Sequence, residues 1–114
     1  MERLSTGVIL IACNWELMNY ARYDSPHIVK GLLRRKGSLT HYARKGDSVA
    51  HSILIDLDEA MEAEGVLTFK QRKYLKLWLD GHRQIDIAAM HRRSQDTISR
   101  VIDRGIRNIS IFLG

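Results

Sequence analysis

One apolar stripe constrains this chain more than any other feature. After Ser94, the residues Ile98, Val101, Ile102, Ile106 and Ile109 recur at three- and four-residue spacing, and Phe112 and Leu113 finish the row. That period puts one greasy face on an α-helix of several turns, and a strand cannot present it. The Ser94 hydroxyl is placed to cap its start. Gly105 weakens it locally, because glycine loses the most backbone freedom on ordering. Such a helix is stable only against other elements, so the rest of the chain must supply them.

Upstream segments do so with the same period. Thr68-Phe69-Lys70-Gln71 is a capping box, in which the threonine hydroxyl and the glutamine amide each satisfy an orphan backbone N–H. The helix that follows carries Leu75, Trp78 and Leu79 inward and stops at Asp80-Gly81. Residues 84–91 form a short helix with Ile85, Ala88 and Ala89 at i, i+3 and i+4, the alanines allowing close approach of a crossing helix. Further back, Val49, Ile53, Leu54, Leu57 and Met61 define a leading helix over 47–64, capped by Asp47 or Ser48 and ended by Gly65. Its outer side is acidic, with Asp56, Asp58, Glu59, Glu62 and Glu64.

The first part of the chain is less sharply patterned. Asp24-Ser25-Pro26 predicts a helix over 26–36, stopped at Gly37, because a first-turn proline needs no N–H partner. Residues 38–46 are a loop or a short helical turn, and residues 5–22 are assigned to helix. No alternating pattern requires a sheet. The expectation is an all-α fold, with a helical N-terminal segment (1–46) for interaction or dimerisation and a helical domain (47–114).

Charge then separates the two parts. Residues 66–114 hold ten Lys and Arg against four Asp and Glu, whereas residues 1–65 hold eight against nine. A concentration of cations suits a polyanion, because each one set on a phosphate releases condensed counterions. A second basic stretch, from His27 to Gly46, carries Lys30, Arg34, Arg35, Lys36, Arg44 and Lys45. It is either another polyanion surface or the complement of the acidic helix near Asp56 to Glu64.

Other chemistries find less support. The single Cys13 and the scattered His27, His41, His51, His82 and His91 offer no metal-ligand spacing, so no metal or other cofactor is expected. Ser52 beside His51 lacks the remainder of a nucleophile and base pattern, and no Gly-rich phosphate loop is present, so the chain is expected not to be an enzyme. The longest apolar run, residues 8–13, is far short of the roughly 18 residues a membrane span needs. A cytoplasmic protein without a membrane partner is the expectation.

A short helix, a break and a longer helix with a cationic outer face form the arrangement of a helix-turn-helix reader, whose second helix enters the major groove of double-stranded DNA. The outward residues at the start of that helix are Gln95, Asp96, Ser99, Arg100 and Asp103, the candidates for base contact. Arg100 suits guanine and Gln95 adenine. Lys70, Arg72, Lys73, Arg83, Arg92, Arg93 and Arg104 are candidates for phosphate contact, which sets register without reading sequence. The plainer reading pairs Asp96 with Arg100, or Asp103 with Arg107, across one helical turn.

Residues 67–72 (Leu-Thr-Phe-Lys-Gln-Arg), then Leu75, Gly81, Ile87-Ala88 and residues 94–100 (Ser-Gln-Asp-Thr-Ile-Ser-Arg), resemble region four of bacterial sigma factors and the small phage-encoded sigma-like regulators. Residues 53–60 resemble the helix that leads into the module in the phage versions, so the likeness covers about residues 53–113. It implies a sigma-like helix-turn-helix bundle that reads a promoter −35 element and touches RNA polymerase. The implied function is that of a phage or prophage transcription regulator, with a homo-oligomer formed through the N-terminal segment as a further expectation. Alternatives are a polymerase-binding protein that redirects or inhibits host transcription, and a small terminase-like DNA-packaging protein. The chain departs from the family at Arg83, where Ser or Thr usually caps the scaffold helix, and at Arg92, the usual glycine position. A left-handed backbone at Arg92 costs about 1 kcal/mol or more, so a remodelled turn is expected there.

Overall fold

The computed structural model describes Tyr23 and residues 25–114. The helix expected within 5–22, and an oligomer contact through it, lie outside the described residues. Among the described residues the fold is all-α, with six helices and no strand: α1 (Pro26–Arg34), α2 (Lys36–Arg44), α3 (Ser48–Glu62), α4 (Phe69–Leu79), α5 (Gln84–His91) and α6 (Gln95–Leu113). None of these helices is long and apolar enough to cross a membrane.

The stripe on α6 organises the rest. Ile98, Ile102, Ile106 and Ile109 are buried, and α1, α3, α4 and α5 all pack on α6 while α2 packs on α3. One core runs from Val29, Leu32 and Leu33 of α1 through Ile53 and Leu57 of α3 and Leu75 of α4 to Ile87 of α5. Full burial of such side chains stabilises by about 1.5–3 kcal/mol each, which outweighs the weak helix propensity of a few glycines and β-branched residues.

Local signals fix several starts and stops as read. Asp47 caps α3, its Oδ1 accepting from the Val49 and Ala50 amides at 3.0 and 3.1 Å. The capping box at Thr68 is complete, and Ser94 Oγ accepts from the Thr97 amide at 3.1 Å. Gly65 and Gly81 take φ of +82° and +105° in the turns after α3 and α4, a region that costs residues with a Cβ.

At Gly105, α6 runs close against α4. A Cβ built there would stand 2.9 Å from Leu75 Cδ1 and 3.3 Å from Gln71 Cβ. The glycine that weakens the helix locally is thus what admits its neighbour. Beside it, buried Gln71 ties cap to core, its Oε1 accepting from the Thr68 amide at 3.0 Å and from Asn108 Nδ2 at 3.1 Å.

Several expectations are corrected. The helix over 26–36 ends at Arg34, and the stretch expected as a loop or a short helical turn is the nine-residue helix α2, which begins at Lys36 and passes through Gly37. Gly37 does not stop the helix because it keeps negative φ, while Leu39, fully buried, holds α2 on the core. Trp78 and Leu79 are only half-buried, the Trp78 ring lying under the Arg34 guanidinium at 5.8 Å. In α5 the inward pair is Ile87 and Ala88, leaving Ile85 and Ala89 exposed. Phe112, expected to finish the α6 stripe, is 44% exposed.

The basic N-terminal stretch and the acidic helix do meet: Lys36 pairs with Asp58 at 3.0 Å, and from α4 Lys76 pairs with Glu62 at 3.4 Å. Tyr23 bridges α3 and α6. Its carbonyl accepts from Ser110 Oγ, and its hydroxyl donates to Asp56 Oδ2 at 2.9 Å. Burial first, and then the bond and charge of Asp56, raise the Tyr23 hydroxyl well above its ordinary value. Unfolded chains release this proton near pH 10 while the folded chain keeps it, so this contribution to stability is present below about pH 10 and lost as pH rises beyond it. Melting curves taken across that range are expected to fall less steeply for Tyr23→Phe than for the wild type; parallel curves would rule the contribution out.

Candidate nucleic-acid interface

The interface is built around the turn between α5 and α6. Arg92 sits in the left-handed region, with φ 54° and ψ 45°. Its amide bonds to the Ala89 carbonyl at 3.4 Å, and the Arg93 amide to the Ala88 carbonyl at 2.9 Å. These two bonds close α5 in the Schellman pattern normally built on glycine. The turn is therefore not remodelled: arginine adopts the glycine conformation. Replacing Arg92 by glycine is expected to stabilise the fold by up to about 1 kcal/mol, since it removes the left-handed cost. A thermal melt of the two chains reads the effect, and a variant less stable than the wild type would contradict this account.

Two contacts brace the turn from behind. His91 Nδ1 lies 2.9 Å from the Ile87 carbonyl oxygen, which requires the proton on Nδ1, and the His91 ring meets the Tyr74 ring edge-on at 5.0 Å. Lys70 lies one turn before Tyr74 on the same side of α4, so α4 brings it toward the edge that carries Arg92 and Arg93. Lys70, Arg92 and Arg93 are exposed. Lys73 is exposed too, its ammonium 6.0 Å from the ring of Phe69, itself 78% exposed.

Two of the phosphate candidates have internal partners. Arg72 is half-buried and its Nε donates to the Met61 carbonyl at 2.9 Å, satisfying a last-turn carbonyl of α3. Arg83 grips Asp86 through Nε at 3.0 Å and Nη2 at 3.3 Å. That bond holds the Asp86 carboxyl below its ordinary value. With no side-chain cap on α5, the acid in its first turn is what complements the helix dipole.

On α6 the base-contact candidates divide. Gln95, Asp96 and Arg100 are exposed on the first turns, Ser99 is half-buried, and Asp103 is exposed further along. Asp96 Oδ2 and Arg100 Nη2 pair at 3.0 Å, as the helical spacing allows. Asp103 does not pair with Arg107. It meets Lys30 of α1 at 3.2 Å instead. Arg104 and Arg107 are exposed and have no ion-pair partner among the described residues.

No family model, curated protein or solved structure matches this chain. The interface therefore has to be understood from its own geometry. That geometry adds Arg107 to the cationic side of α6, a residue the spacing rule had assigned to Asp103. The missed signal was Lys30, whose nearness to Asp103 depends on α1 packing on α6 and is not encoded in local sequence. Among the described residues no three His, Cys, Asp or Glu side chains are grouped to hold a metal ion.

Proposed function

We propose that this chain is a DNA-binding transcription regulator of the small phage-encoded kind, reading double-stranded DNA through a sigma-like helix-turn-helix made of α5 and α6. One observation carries the reading: α6 is held from behind by Ile98 and Ile102, while its first turns project Gln95, Asp96 and Arg100 past a tight turn that starts at Arg92. A helix anchored on one side and polar on the other suits the major groove, about 12 Å wide, and its first residues are the ones that meet base edges.

In this reading Arg100 recognises guanine and Gln95 adenine, with Ser99 alongside them. Lys70, Lys73, Arg92, Arg93 and Arg104 engage phosphates. Arg72 keeps its internal partner, while Arg83, exposed beside Asp86, joins the phosphate contacts. One module of this size buries only about 600–1,000 Å² on DNA, so a specific complex needs a second grip. Contact with RNA polymerase supplies it.

The test is recovery of bound DNA from the native host, with RNA polymerase probed in the same sample. Promoter-proximal duplex enriched together with polymerase is the expected result. Polymerase recovered without salt-sensitive DNA retention, or DNA recovered from a single packaging locus by a ring-shaped oligomer, would replace the reading.

A further inference from the structure

We propose that Lys30 of α1 is a positioning residue for the DNA face of α6: by holding Asp103 it leaves the Arg107 guanidinium available, which with Arg104 forms the phosphate-binding part of a cationic stripe whose remaining member, Arg100, reads a base. The inference rests on the duplex-reading function proposed above and extends it to a helix outside the module that does the reading.

The stripe follows from helix geometry. Positions 100, 104 and 107 lie at i, i+4 and i+7, so they share one face and span about 10 Å at 1.5 Å per residue. All three arginines are exposed. Successive phosphates along one DNA strand repeat at about 3.4 Å along the axis, so a row of this length meets more than one of them.

Asp103 threatens that row. It stands four residues before Arg107, the spacing and order in which an acid pairs best with a base on a helix. The same spacing does produce a pair two turns earlier, Asp96 with Arg100 at 3.0 Å. At Asp103 the carboxylate turns to Lys30 Nζ at 3.2 Å, across the α1–α6 contact. Val29, beside Lys30 on α1, and Leu33, one turn on, are buried in the shared core, so the packing fixes the Lys30 backbone within reach of Asp103. The acid is thereby neutralised by a cation from outside the stripe.

The consequence for binding is electrostatic. Without Lys30, Asp103 either captures Arg107 or faces the duplex as an unpaired negative charge, and in both cases the row releases about one counterion fewer. Lys30→Met keeps the apolar stem and removes only the charge, so the α1 contact is preserved.

The experiment is a salt titration of the full chain on a short random-sequence duplex, which isolates the sequence-independent part of binding. For Lys30→Met, the slope of log K against log salt is expected to flatten by about 0.9, with affinity at 0.1 M salt falling about five- to tenfold. Adding Asp103→Asn to that variant restores both. Asp103→Asn alone steepens the slope, since Lys30 itself is released toward phosphate. Lys36→Met, which breaks the comparable pair with Asp58 on α3, leaves both values unchanged. Melting curves on each variant separate charge effects from lost folding. A Lys30→Met loss that Asp103→Asn does not restore, or no loss at all, overturns the positioning role and leaves duplex binding standing. A wild-type chain with no salt-dependent binding overturns both.

Discussion

Gly105→Val is expected to lower stability by about 1–3 kcal/mol, the usual range for forcing extra methyl groups into a packed core. Two effects oppose each other at this position. Removing a helix-interior glycine gains up to about 1 kcal/mol, since glycine is the poorest ordinary residue for helix interiors. The Cβ, however, would lie 2.9 Å from Leu75 Cδ1, and Leu75 is fully buried among other core side chains, so it can shift only by displacing its neighbours. Gln71 Cβ, at 3.3 Å, is fixed more firmly because its amide serves the α4 cap and Asn108 together. The clash therefore wins, and α6 must move away from α4. Gly105→Ala, which adds only the Cβ, falls between the two effects and should cost less than valine. Denaturant unfolding of the three chains orders them glycine, alanine, valine by decreasing stability. A valine variant as stable as the wild type would show that α4 and α6 do not approach this closely.

The same glycine shows where sequence and structure part. Period and caps are local properties, and they placed α3, α4, α5 and α6 within a few residues, because Asp47, Thr68 and Ser94 cap through bonds that span two or three positions. The meaning of a glycine is not local. Gly37 resembles a stop signal and is helical, since Leu39 is drawn into the core two residues later. Gly105 resembles a weak point and is a close crossing, since Leu75 and Gln71 come from a helix some thirty residues away in sequence. In α5, too short for a clear period, Ile85 and Ile87 compete for the inward position, and packing on α6 selects Ile87.

The candidate site divides in the same way. Exposed residues on the first turns of α6 were legible in part: helix phase turns Asp96 and Arg100 away from Ile98 and Ile102, whereas Gln95 shares the phase of Ile98 and is exposed at the first position of the helix. Charge pairing was legible only within one helix: Asp96 with Arg100 follows the rule, whereas Asp103 finds Lys30, seventy-three positions away. The side chain of Arg72 is partly withdrawn from any outside partner by the Met61 carbonyl, a contact that charge counting does not register.

Arg100→Ala should weaken binding to the cognate duplex by about 1–3 kcal/mol and relax the preference at one base pair, as expected for loss of a bidentate guanine contact. The pair with Asp96 does not stand in the way of this role. Both side chains are more than 70% exposed, and an ion pair so open to water is worth at most about 1 kcal/mol, less than the contact it would give up. Asp96 thus holds the guanidinium ready on the first turns of α6 at little cost to its release. Asp96→Ala separates the two interpretations of this pair. If Arg100 reads a base, losing Asp96 leaves the reader in place, so affinity for any duplex rises with the removal of a negative charge while Arg100→Ala still relaxes the preference at its base pair. If the pair is only a surface ornament of the helix, neither substitution changes which duplex is chosen, and binding follows net charge alone. A binding series over base-pair variants of a duplex recovered from the host, run on both substitutions at fixed salt, decides between these outcomes.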